Sequence, residues 1–282
     1  MYNLRVQNQR GEKLQISGNL AYTIKDISGL NPPEAVINTT RTATDDGSVY
    51  NSSYVNDRLI TLTLAVNYPA EENRINLYRY FKTKYPVRVF YQTENRNVYI
   101  DGYVQNFDVS YFDIKQTVQI SILCPKPLLN DVSDNMTEFS SIMDMFEFPF
   151  SIEESGVEFS TLKLGETKTI INDGDVYTGI TINLKANGRL LNPKIYNVET
   201  GESLILNVDM SAGDEISINT RRKEKTAVLI RDGEETNIVG KIRQGSTWFQ
   251  LAPGDNLFLY DCDESPENLQ CTFIMTNQYE GV

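Results

Sequence analysis

The chain has 282 residues, of which 40% are hydrophobic and 10% aromatic, so it can bury a substantial core and global disorder is not expected. Its formal net charge of −12 argues against a protein that binds nucleic-acid duplexes, because such proteins need a basic surface to displace counterions from phosphates. The absence of histidine removes the Ser-His-Asp and Cys-His nucleophile pairs and makes an enzyme less expected.

The cysteines and the N-terminus give further limits. Cys124, Cys262 and Cys271 are widely spaced and form no CxxC motif, so they predict neither a zinc site nor a redox motif, and we expect them to stay thiols. The first residues, MYNLRVQNQRGEKLQ, lack the apolar region of a signal peptide. No apolar run reaches about 18 residues. We therefore expect a protein that is made in the cytoplasm and does not insert into membranes.

The first 130 residues read as a small β domain with one helix. Short strand-like pieces fill residues 1–30, and LITLTLAV at 59–66 is the clearest strand, since its apolar residues alternate with threonines. Residues 70–84 form the predicted helix, with Pro69 at its start and acidic residues in its first turn. Strands follow, up to TVQISILC. This order predicts a helix-capped β-barrel or β-sandwich domain over residues 1–130.

Residues 38–56, NTTRTATDDGSVYNSSYVN, form a long polar stretch between two apolar runs. Most connections inside a compact domain have about 4–6 residues, so this stretch needs another explanation. It contains Tyr50 and Tyr54, and tyrosine is favoured at protein interfaces, whereas disordered loops carry few aromatic residues. We expect an arm that is ordered against a partner.

Residues 131–155 are an irregular acidic segment, which we interpret as a linker between domains. Because a solvated linker would be less apolar, we expect its large side chains to pack against a neighbouring surface. These side chains are Met143, Met145, Phe146, Phe148 and Phe150.

From residue 156 to 282, about nine short strands alternate with turns such as NDGD, ANGR and SAGDE, and no helical pattern interrupts them. Many short strands at regular spacing are typical of a β-sandwich. We therefore predict a C-terminal β-sandwich of the jelly-roll type over residues 156–282.

Clustered carboxylates could support glycoside hydrolysis if two of them lay at the required distance. All of them fall in turns or in the linker, where acidic residues are common, and spacing alone pairs none of them. NDGD resembles part of a calcium loop but lacks the repeated oxygen ligands and the closing glutamate. We assign no catalytic, metal or cofactor residues. The clusters are Asp45-Asp46, Glu153-Glu154, Asp173 with Asp175, and Asp261 with Asp263 and Glu264.

The aromatic residues Trp248 and Phe249, in TWFQLAPGDN, allow two interpretations of their role. Aromatic faces suit sugar rings, so the pair could contact a glycan or a protein partner. Large aromatic side chains more often supply core burial, and in that interpretation Trp248 and Leu251 pack in the core beside the Pro-Gly turn.

Several blocks of the sequence together resemble the distal tail protein family of long-tailed phages, the siphoviruses. The first half carries GLNPPEAV, RLITLTLAV, ENRINLYRYF, YPVRVFYQTENRNVYIDGYVQNFDV and QTVQISILCPKP in this order. The second half carries INDGDVYTGITINLKANGRLLNPKIYNVETGESLILN, GDEISINTR and WFQLAPGDNLFLY. The order of the blocks is more specific than any single block.

The resemblance implies a structural protein of the phage tail tip rather than an enzyme. In this family six copies form a ring between the tail tube protein and the tail-associated hub or lysin protein, and DNA passes through the lumen without specific binding. A long hairpin, the belt, wraps a neighbouring subunit. The C-terminal domain is a galectin-like sandwich on the outside, which in some members holds receptor-binding proteins or touches host glycans. Assembly takes place in the cytoplasm of the host bacterium.

Under this resemblance, the belt corresponds to about residues 36–66, and Arg41, Asp45, Tyr50 and Tyr54 are its candidate contact residues. A hairpin with no core of its own is marginally stable in water, and a neighbouring subunit can supply the missing surface. Two other functions remain open at this point. One is a bacterial carbohydrate-binding or adhesin module, which the missing signal peptide disfavours. The other is a polysaccharide hydrolase with a carboxylate pair.

Overall fold

The computed structural model describes residues 2–41, 43–44, 46–139 and 167–282. The chain divides into two units, unit 1 (Met1–Ser133 with Gln278–Val282) and unit 2 (Asp134–Asn277). The fold is mainly β, as the sequence predicts. The most apolar part of the predicted linker, with Met143, Met145, Phe146, Phe148 and Phe150, lies outside the described residues. In the described part of the chain, no helix is long and apolar enough to span a membrane.

Unit 1 contains the first nine strands, the α-helix and the start of the tenth strand, up to Ser133. In chain order, the elements are β1 (Asn3–Asn8), β2 (Lys13–Gln15), β3 (Tyr22–Ser28), β4 (Ala35–Thr40), β5 (Val49–Val55), β6 (Arg58–Val66), α1 (Ala70–Tyr80), β7 (Pro86–Gln92), β8 (Asn97–Val109), β9 (Thr117–Cys124) and β10 (Leu129–Phe139).

An antiparallel sheet in the order β3-β6-β9-β8-β7-β1-β2 forms the body of unit 1. The long strand β8 pairs with two strands along its length. Its residues 97–103 pair with β7, and its residues 103–109 pair with β9. Side chains alternate between buried and exposed along β1, β8 and β9, as a sheet with one face on a core requires. The sheet thereby encloses one hydrophobic core.

Helix α1 packs its Leu77 side chain into the core of unit 1, together with Phe81 just beyond its end. Ile75 and Tyr78, on the same helix, are exposed instead. Residues four apart lie on the same helix face, so burial of Leu77 and Phe81 turns the other two outward. The helix ends at Tyr80 rather than at the predicted residue 84.

Strand β10 begins at Leu129 and continues into the segment that the sequence predicted as an irregular linker from residue 131. Asn130 and Asp131 pair with residues of β8. Main-chain pairing with a neighbouring strand leaves little trace in a polar sequence, so the linker prediction missed this strand.

Unit 2 contains the remaining strands, which are β11 (Thr167–Asn172), β12 (Thr181–Ala186), β13 (Leu190–Leu191), β14 (Lys194–Asn197), β15 (Ser203–Ile205), β16 (Asp209–Met210), β17 (Glu215–Asn219), β18 (Thr226–Arg231), β19 (Glu234–Asn237), β20 (Gly254–Asp261) and β21 (Leu269–Tyr279). Two short 3-10 turns, Val239–Lys241 and Pro266–Asn268, interrupt them.

Two antiparallel sheets make unit 2 a β-sandwich, as predicted. One has the order β19-β18-β17-β12-β21 and the other the order β11-β20-β14-β15. Inward side chains of both sheets, among them Ile182, Ile216, Ile195 and Phe258, form one core.

The end of the chain, residues 278–282, belongs to unit 1, although the sequence assigned it to the C-terminal domain. Tyr279 lies in the core of unit 1, and Gln278 donates a hydrogen bond to Asn130. A strand pattern marks the last strand, but it does not show which core the last residues join.

Arg58, at the start of β6, is a buried cation with a side chain only 4% exposed. Its guanidinium donates hydrogen bonds to four main-chain carbonyls, those of Pro127 (2.6 Å), Gly29 (2.7 Å), Asn31 (3.0 Å) and Glu280 (2.6 Å). Burial lowers the pKa of Arg58, and the carbonyl dipoles replace the water that the cation has lost. One side chain therefore holds three distant chain segments together.

We predict that Arg58→Met destabilises the protein by about 3 kcal/mol or more, since bonds to a charged donor are each worth about 1.5–3 kcal/mol and buried carbonyls would lose their partners. Chemical denaturation followed by tyrosine fluorescence measures the loss. The control is Arg88→Met in the same unit, which removes a half-exposed ion pair with Asp101 and should cost less than about 1 kcal/mol. Equal losses in the two variants would contradict this role of Arg58.

In unit 2, the buried carboxylate of Asp214 accepts hydrogen bonds from Arg231 Nε (3.0 Å to Oδ1) and from the backbone N–H of Ser211 (2.7 Å to Oδ2). The bond from Arg231 is the main cause of its lowered pKa. Because the pKa of Asp214 is lower in the folded chain, its carboxylate takes up a proton more readily in the unfolded chain. The carboxylate therefore contributes its full stabilisation when the pH is above its ordinary pKa of about 4. This contribution is lost as the pH falls through the lower pKa of the folded chain.

We predict that Asp214→Asn lowers the free energy of unfolding by about 2 kcal/mol at neutral pH. The difference from the wild type should shrink as the pH falls below about 4, because the wild-type carboxylate is then protonated too. Denaturation curves from pH 7 to pH 2 measure it, with the exposed Glu235→Gln of β19 as the control. A difference that stays constant down to pH 2 would show that charge is not its cause.

Candidate functional site

Strands β4 and β5 form a two-stranded hairpin that, within the described residues, joins no other strand. The register runs from Ala35 opposite Val55 to Thr40 opposite Val49, with a bulge beyond Asn38. All seven side chains of β5 are exposed, and so are all but one of β4. The hairpin thus projects from unit 1 without a core of its own.

Both faces of this β4–β5 hairpin carry large apolar groups. The register puts Ile37 and Tyr50 on one face and Val49 and Tyr54 on the other. Tyr50 and Tyr54 are 60% and 54% exposed. Polar contacts, such as that between the hydroxyls of Tyr50 and Ser53 (2.9 Å), stay within the hairpin. Exposed aromatic and aliphatic side chains on both faces are what a hairpin needs in order to pack between other surfaces.

Three of the four predicted belt residues lie on or next to the β4–β5 hairpin. Arg41 is exposed at the far end of β4, and Tyr50 and Tyr54 lie on β5. Asp45 lies outside the described residues. The predicted belt extent of about 36–66 also included β6, which pairs with β3 and β9 inside the sheet. Alternation along β6 gives it one buried face, whereas the hairpin has none.

The strand register defines two opposite ends of unit 1. At one end, Ser28 leaves β3 and Arg58 enters β6, so the β4–β5 hairpin projects there, and we call it the hairpin end. At the other end, Tyr22 starts β3 beside Val66, and Thr117 starts β9 beside Ala65. The loops before β3, after β6 and between β8 and β9 meet at this second end, which we call the loop end.

Four large apolar side chains at the loop end are almost wholly exposed. They are Leu20, Tyr68, Phe112 and Ile114. Asn67 holds two of the loops together, since its Nδ2 donates to the carbonyl of Leu20 (2.8 Å). Concentrated exposed apolar groups on ordered loops are typical of an interaction surface.

The β8–β9 loop at this end rests on helix α1. The guanidinium of Arg74 lies over the Tyr111 ring at 4.8 Å, and the hydroxyls of Tyr111 and Tyr78 are 3.4 Å apart. Tyr78 in turn packs edge-on against Phe107 (4.9 Å between ring centroids). Sequence reasoning missed this surface. The available signal was SYFDIKQ, a polar turn that contains three large apolar residues.

The two aromatic residues proposed for glycan contact have different environments. Phe249 is fully buried in the core of unit 2, 5.2 Å from the ring of Phe258, so its side chain is not available to a ligand. Trp248 is half-buried against the same core, and the ammonium of Lys225 lies 5.5 Å from its ring centroid. Leu251, which the core interpretation paired with Trp248, is fully buried in the same core.

Of the carboxylate candidates, Asp263 has a well-defined environment. Asp263 accepts a hydrogen bond from Asn192 (2.8 Å) and forms an ion pair with Lys194, which lowers its pKa. A general acid in glycoside hydrolysis needs a raised pKa, so this environment favours a structural ion pair. Glu153 and Glu154 lie outside the described residues.

The NDGD turn is closed by its own asparagine. Asn172 Nδ2 donates to the carbonyls of Val176 (3.0 Å) and Leu251 (3.2 Å), and its Oδ1 accepts from the backbone N–H of Gly174 (3.0 Å). Among the described residues, no group of three or more acidic or thiol side chains is arranged to hold a metal ion.

The three cysteines are free and buried. Burial raises the pKa of the Cys124 thiol to about 12 and that of Cys262 to about 11, and it also raises that of Cys271. Thiols with such raised pKa values are poor nucleophiles at neutral pH.

The comparison with protein families gives a match over residues 173–279, to the family model described as the siphovirus-type tail component, C-terminal domain. No curated protein sequence matches the chain at a significant level.

Solved structures resemble the chain over its whole length. The hub protein Dit of phage SPP1, described as a paradigm of the hub adsorption apparatus in phages that infect Gram-positive bacteria, has a TM-score of 0.70 and 12% identity, with 99% of each chain covered. Chains of the phage P2 baseplate in its activated conformation, with Ca and with Sr, have TM-scores of 0.55 and 0.54 at 12% and 11% identity, with all of each chain covered.

At such low identity the structural likeness shows the fold. The resemblance to siphovirus tail components is confirmed by the family match over residues 173–279, and over its whole length the chain has the fold of a phage distal tail hub protein.

Proposed function

We propose that this protein is a distal tail protein of a long-tailed phage or a related particle, and that about six copies form a ring at the tail tip. The observation that carries the proposal is the β4–β5 hairpin, which is exposed on both faces and pairs, within the described residues, only with itself. In the ring, each hairpin lies against the neighbouring copy.

The physical argument starts from stability. A two-stranded hairpin without a hydrophobic face to cover is marginal in water, so exposed Ile37, Val49, Tyr50 and Tyr54 side chains favour a partner surface. If each copy offers its hairpin to the next, the same head-to-tail contact repeats around an axis and closes a ring. The likeness to hub and baseplate proteins of phages supports this reading.

The loop end of unit 1 is the candidate contact for the next component of the tail. Its exposed apolar residues lie opposite the hairpin end, so they stay free when the hairpins join copies of the chain. These residues are Leu20, Tyr68, Phe112 and Ile114. We assign to this end the docking of the tail tube protein or of the tail-associated hub protein. These partners follow from the family resemblance.

Unit 2 is the outward domain of the proposed ring. It is a β-sandwich, and we propose that it contacts receptor-binding proteins or a host glycan, with Trp248 as the remaining aromatic candidate.

The protein assembles in the host cytoplasm and resides at the tail tip of the virion. DNA passes the lumen without specific binding, which agrees with a net charge of −12.

The protein is proposed to be structural and not an enzyme. The two rival functions make different predictions. A carbohydrate-binding module would bind glycans as a monomer, and a hydrolase would cleave cell-wall polymers and lose that activity when one acid pair is mutated. Asp263, paired with Lys194, does not favour the hydrolase.

For the wild-type chain we predict a particle of about six subunits with a central opening. Light scattering at several concentrations, with negative-stain imaging of the same samples, measures it.

Deletion of residues 41–54 should abolish the ring while leaving the circular dichroism of the β fold in place. Tyr50→Ser with Tyr54→Ser should raise the concentration needed for assembly about tenfold or more, because buried tyrosines dominate interfaces.

The matched control is Tyr177→Ser in unit 2, which removes a tyrosine of similar exposure (62%) and should assemble as the wild type does. An unchanged ring after deletion of the hairpin would overturn its proposed role. A chain that stays monomeric both alone and when produced together with the flanking tail proteins would overturn the ring itself.

For the loop end we predict that Phe112→Ser with Ile114→Ser leaves the ring intact but weakens capture of the tail tube or hub protein about tenfold or more. Pull-down with each tagged partner, at matched ring concentration, measures the effect. The control is Ile171→Ser, an exposed isoleucine of β11 in unit 2. Undiminished capture of both partners by the double variant would mean that they dock elsewhere.

A further inference from the structure

The last five residues of the chain, 278–282, lie against unit 1 and not against the sandwich that precedes them. We call these residues the C-terminal segment. Tyr279 is buried in the core of unit 1, and its hydroxyl donates to Asp131 Oδ2 (3.2 Å). Gln278 Nε2 donates to Asn130 Oδ1 (2.9 Å). The start of the C-terminal segment is thereby fixed beside β10.

Two arginines hold the main chain that follows. Arg58 Nη2 donates to the carbonyl of Glu280 (2.6 Å), and Arg96 donates to the carbonyl of Gly281. The guanidinium of Arg96 also lies over the ring of Tyr279, 4.3 Å from its centroid. Charged donors on carbonyl oxygens make strong hydrogen bonds, so the path of the C-terminal segment is set through its backbone.

The same contacts reach the base of the β4–β5 hairpin, which we define as residues 29–34 and 56–58. Arg58 binds the carbonyls of Gly29 and Asn31 together with that of Glu280. A Cβ atom built on Gly281 would lie 2.7 Å from Cδ of Pro32, so the backbone of the C-terminal segment packs directly on the first leg of the hairpin base.

In the two legs of the hairpin base, Leu30 is buried in the core of unit 1 and Arg58 is buried as described above. Beyond Leu30, the residues of the legs other than Arg58 are exposed or half-buried. They border an open cleft of about 680 Å³, lined by Asn31 to Val36 and by Asn56 to Leu59, instead of a packed core. Most side chains of both legs are exposed. The backbone of Gly29, in contrast, is tightly constrained. It has φ +87° and no room for a Cβ atom, which would lie 2.1 Å from the carbonyl oxygen of Leu59. The chain therefore turns sharply at Gly29 and is anchored in the core at Leu30, but the direction of the hairpin beyond Leu30 depends on Arg58 and on what packs against Pro32.

We propose that the C-terminal segment is an intramolecular latch that sets the direction in which the β4–β5 hairpin leaves unit 1. The groove that binds it is formed by Arg58, Arg96, Asp131 and Pro32, and its ligand is the backbone of the chain's own terminal peptide. The latch rests on the proposed function in one respect, since a fixed hairpin direction matters for assembly only if the hairpin joins two copies.

The test measures the hairpin direction in single chains. Spin labels are attached at Ser48→Cys, near the hairpin tip, and at Lys13→Cys, on β2. The native cysteines are buried thiols with raised pKa values, so they react slowly with the label. Distances are recorded by double electron–electron resonance at concentrations where light scattering shows a monomer.

The chain with an intact latch should give one narrow distance distribution. Gly281→Val puts a branched side chain where Pro32 lies, and it should make the distribution about twofold broader. Arg96→Gln removes the donor to the Gly281 carbonyl without adding volume and should have the same direction of effect, so the proposal stays testable if Gly281→Val does not fold. The control is Val282→Ala, which leaves the backbone contacts in place.

An unchanged distribution in a folded Gly281→Val or Arg96→Gln chain would overturn the latch. The two proposals fail separately, because the distribution is measured on monomers. A narrow distribution that broadens in both variants supports the latch even if the wild type forms no ring.

Discussion

The architecture of unit 1 depends on one buried cation. Arg58 stands where the hairpin rejoins the sheet, and its guanidinium binds main-chain carbonyls of Gly29, Asn31, Pro127 and Glu280. A buried charge without such partners would cost several kcal/mol, so the three chain segments that carry these carbonyls must come together for Arg58 to be buried at all. The planar, forked guanidinium can bind several acceptors at once, which an ammonium group on a single nitrogen does not match.

This constraint gives unit 1 two different ends. Residues 29–31 lead into the β4–β5 hairpin and Arg58 follows it, so the hydrogen bonds between them hold the base of the projecting hairpin at the hairpin end. The loop end is held by other contacts, such as the hydrogen bond from Asn67 to the carbonyl of Leu20, and it presents Leu20, Tyr68, Phe112 and Ile114 on three loops. In the proposed ring, the hairpin end contacts another copy of the chain and the loop end contacts another tail protein.

The likeness to distal tail hub proteins at 12% identity shows how little of this fold needs particular side chains. The sheet of unit 1 and the sandwich of unit 2 require alternating apolar residues of suitable size, which many sequences provide. The contacts that fix chain direction are more specific in geometry, but several go to main-chain carbonyls. They leave the sequence free to change around a few arginines and glycines, such as Arg58, Arg96 and Gly29.

The sequence by itself determined the β character of both halves, the helix after Pro69, and the existence of an arm around Tyr50 and Tyr54, because alternation, helix start signals and an overlong polar stretch are local patterns. Only the tertiary structure decided that Ile75 and Tyr78 face outward, that Phe249 is buried, and that residues 278–282 return to unit 1. The physical reason is that strand pairing and hydrogen bonds to carbonyls join residues far apart in the chain, and a carbonyl oxygen is the same in every residue.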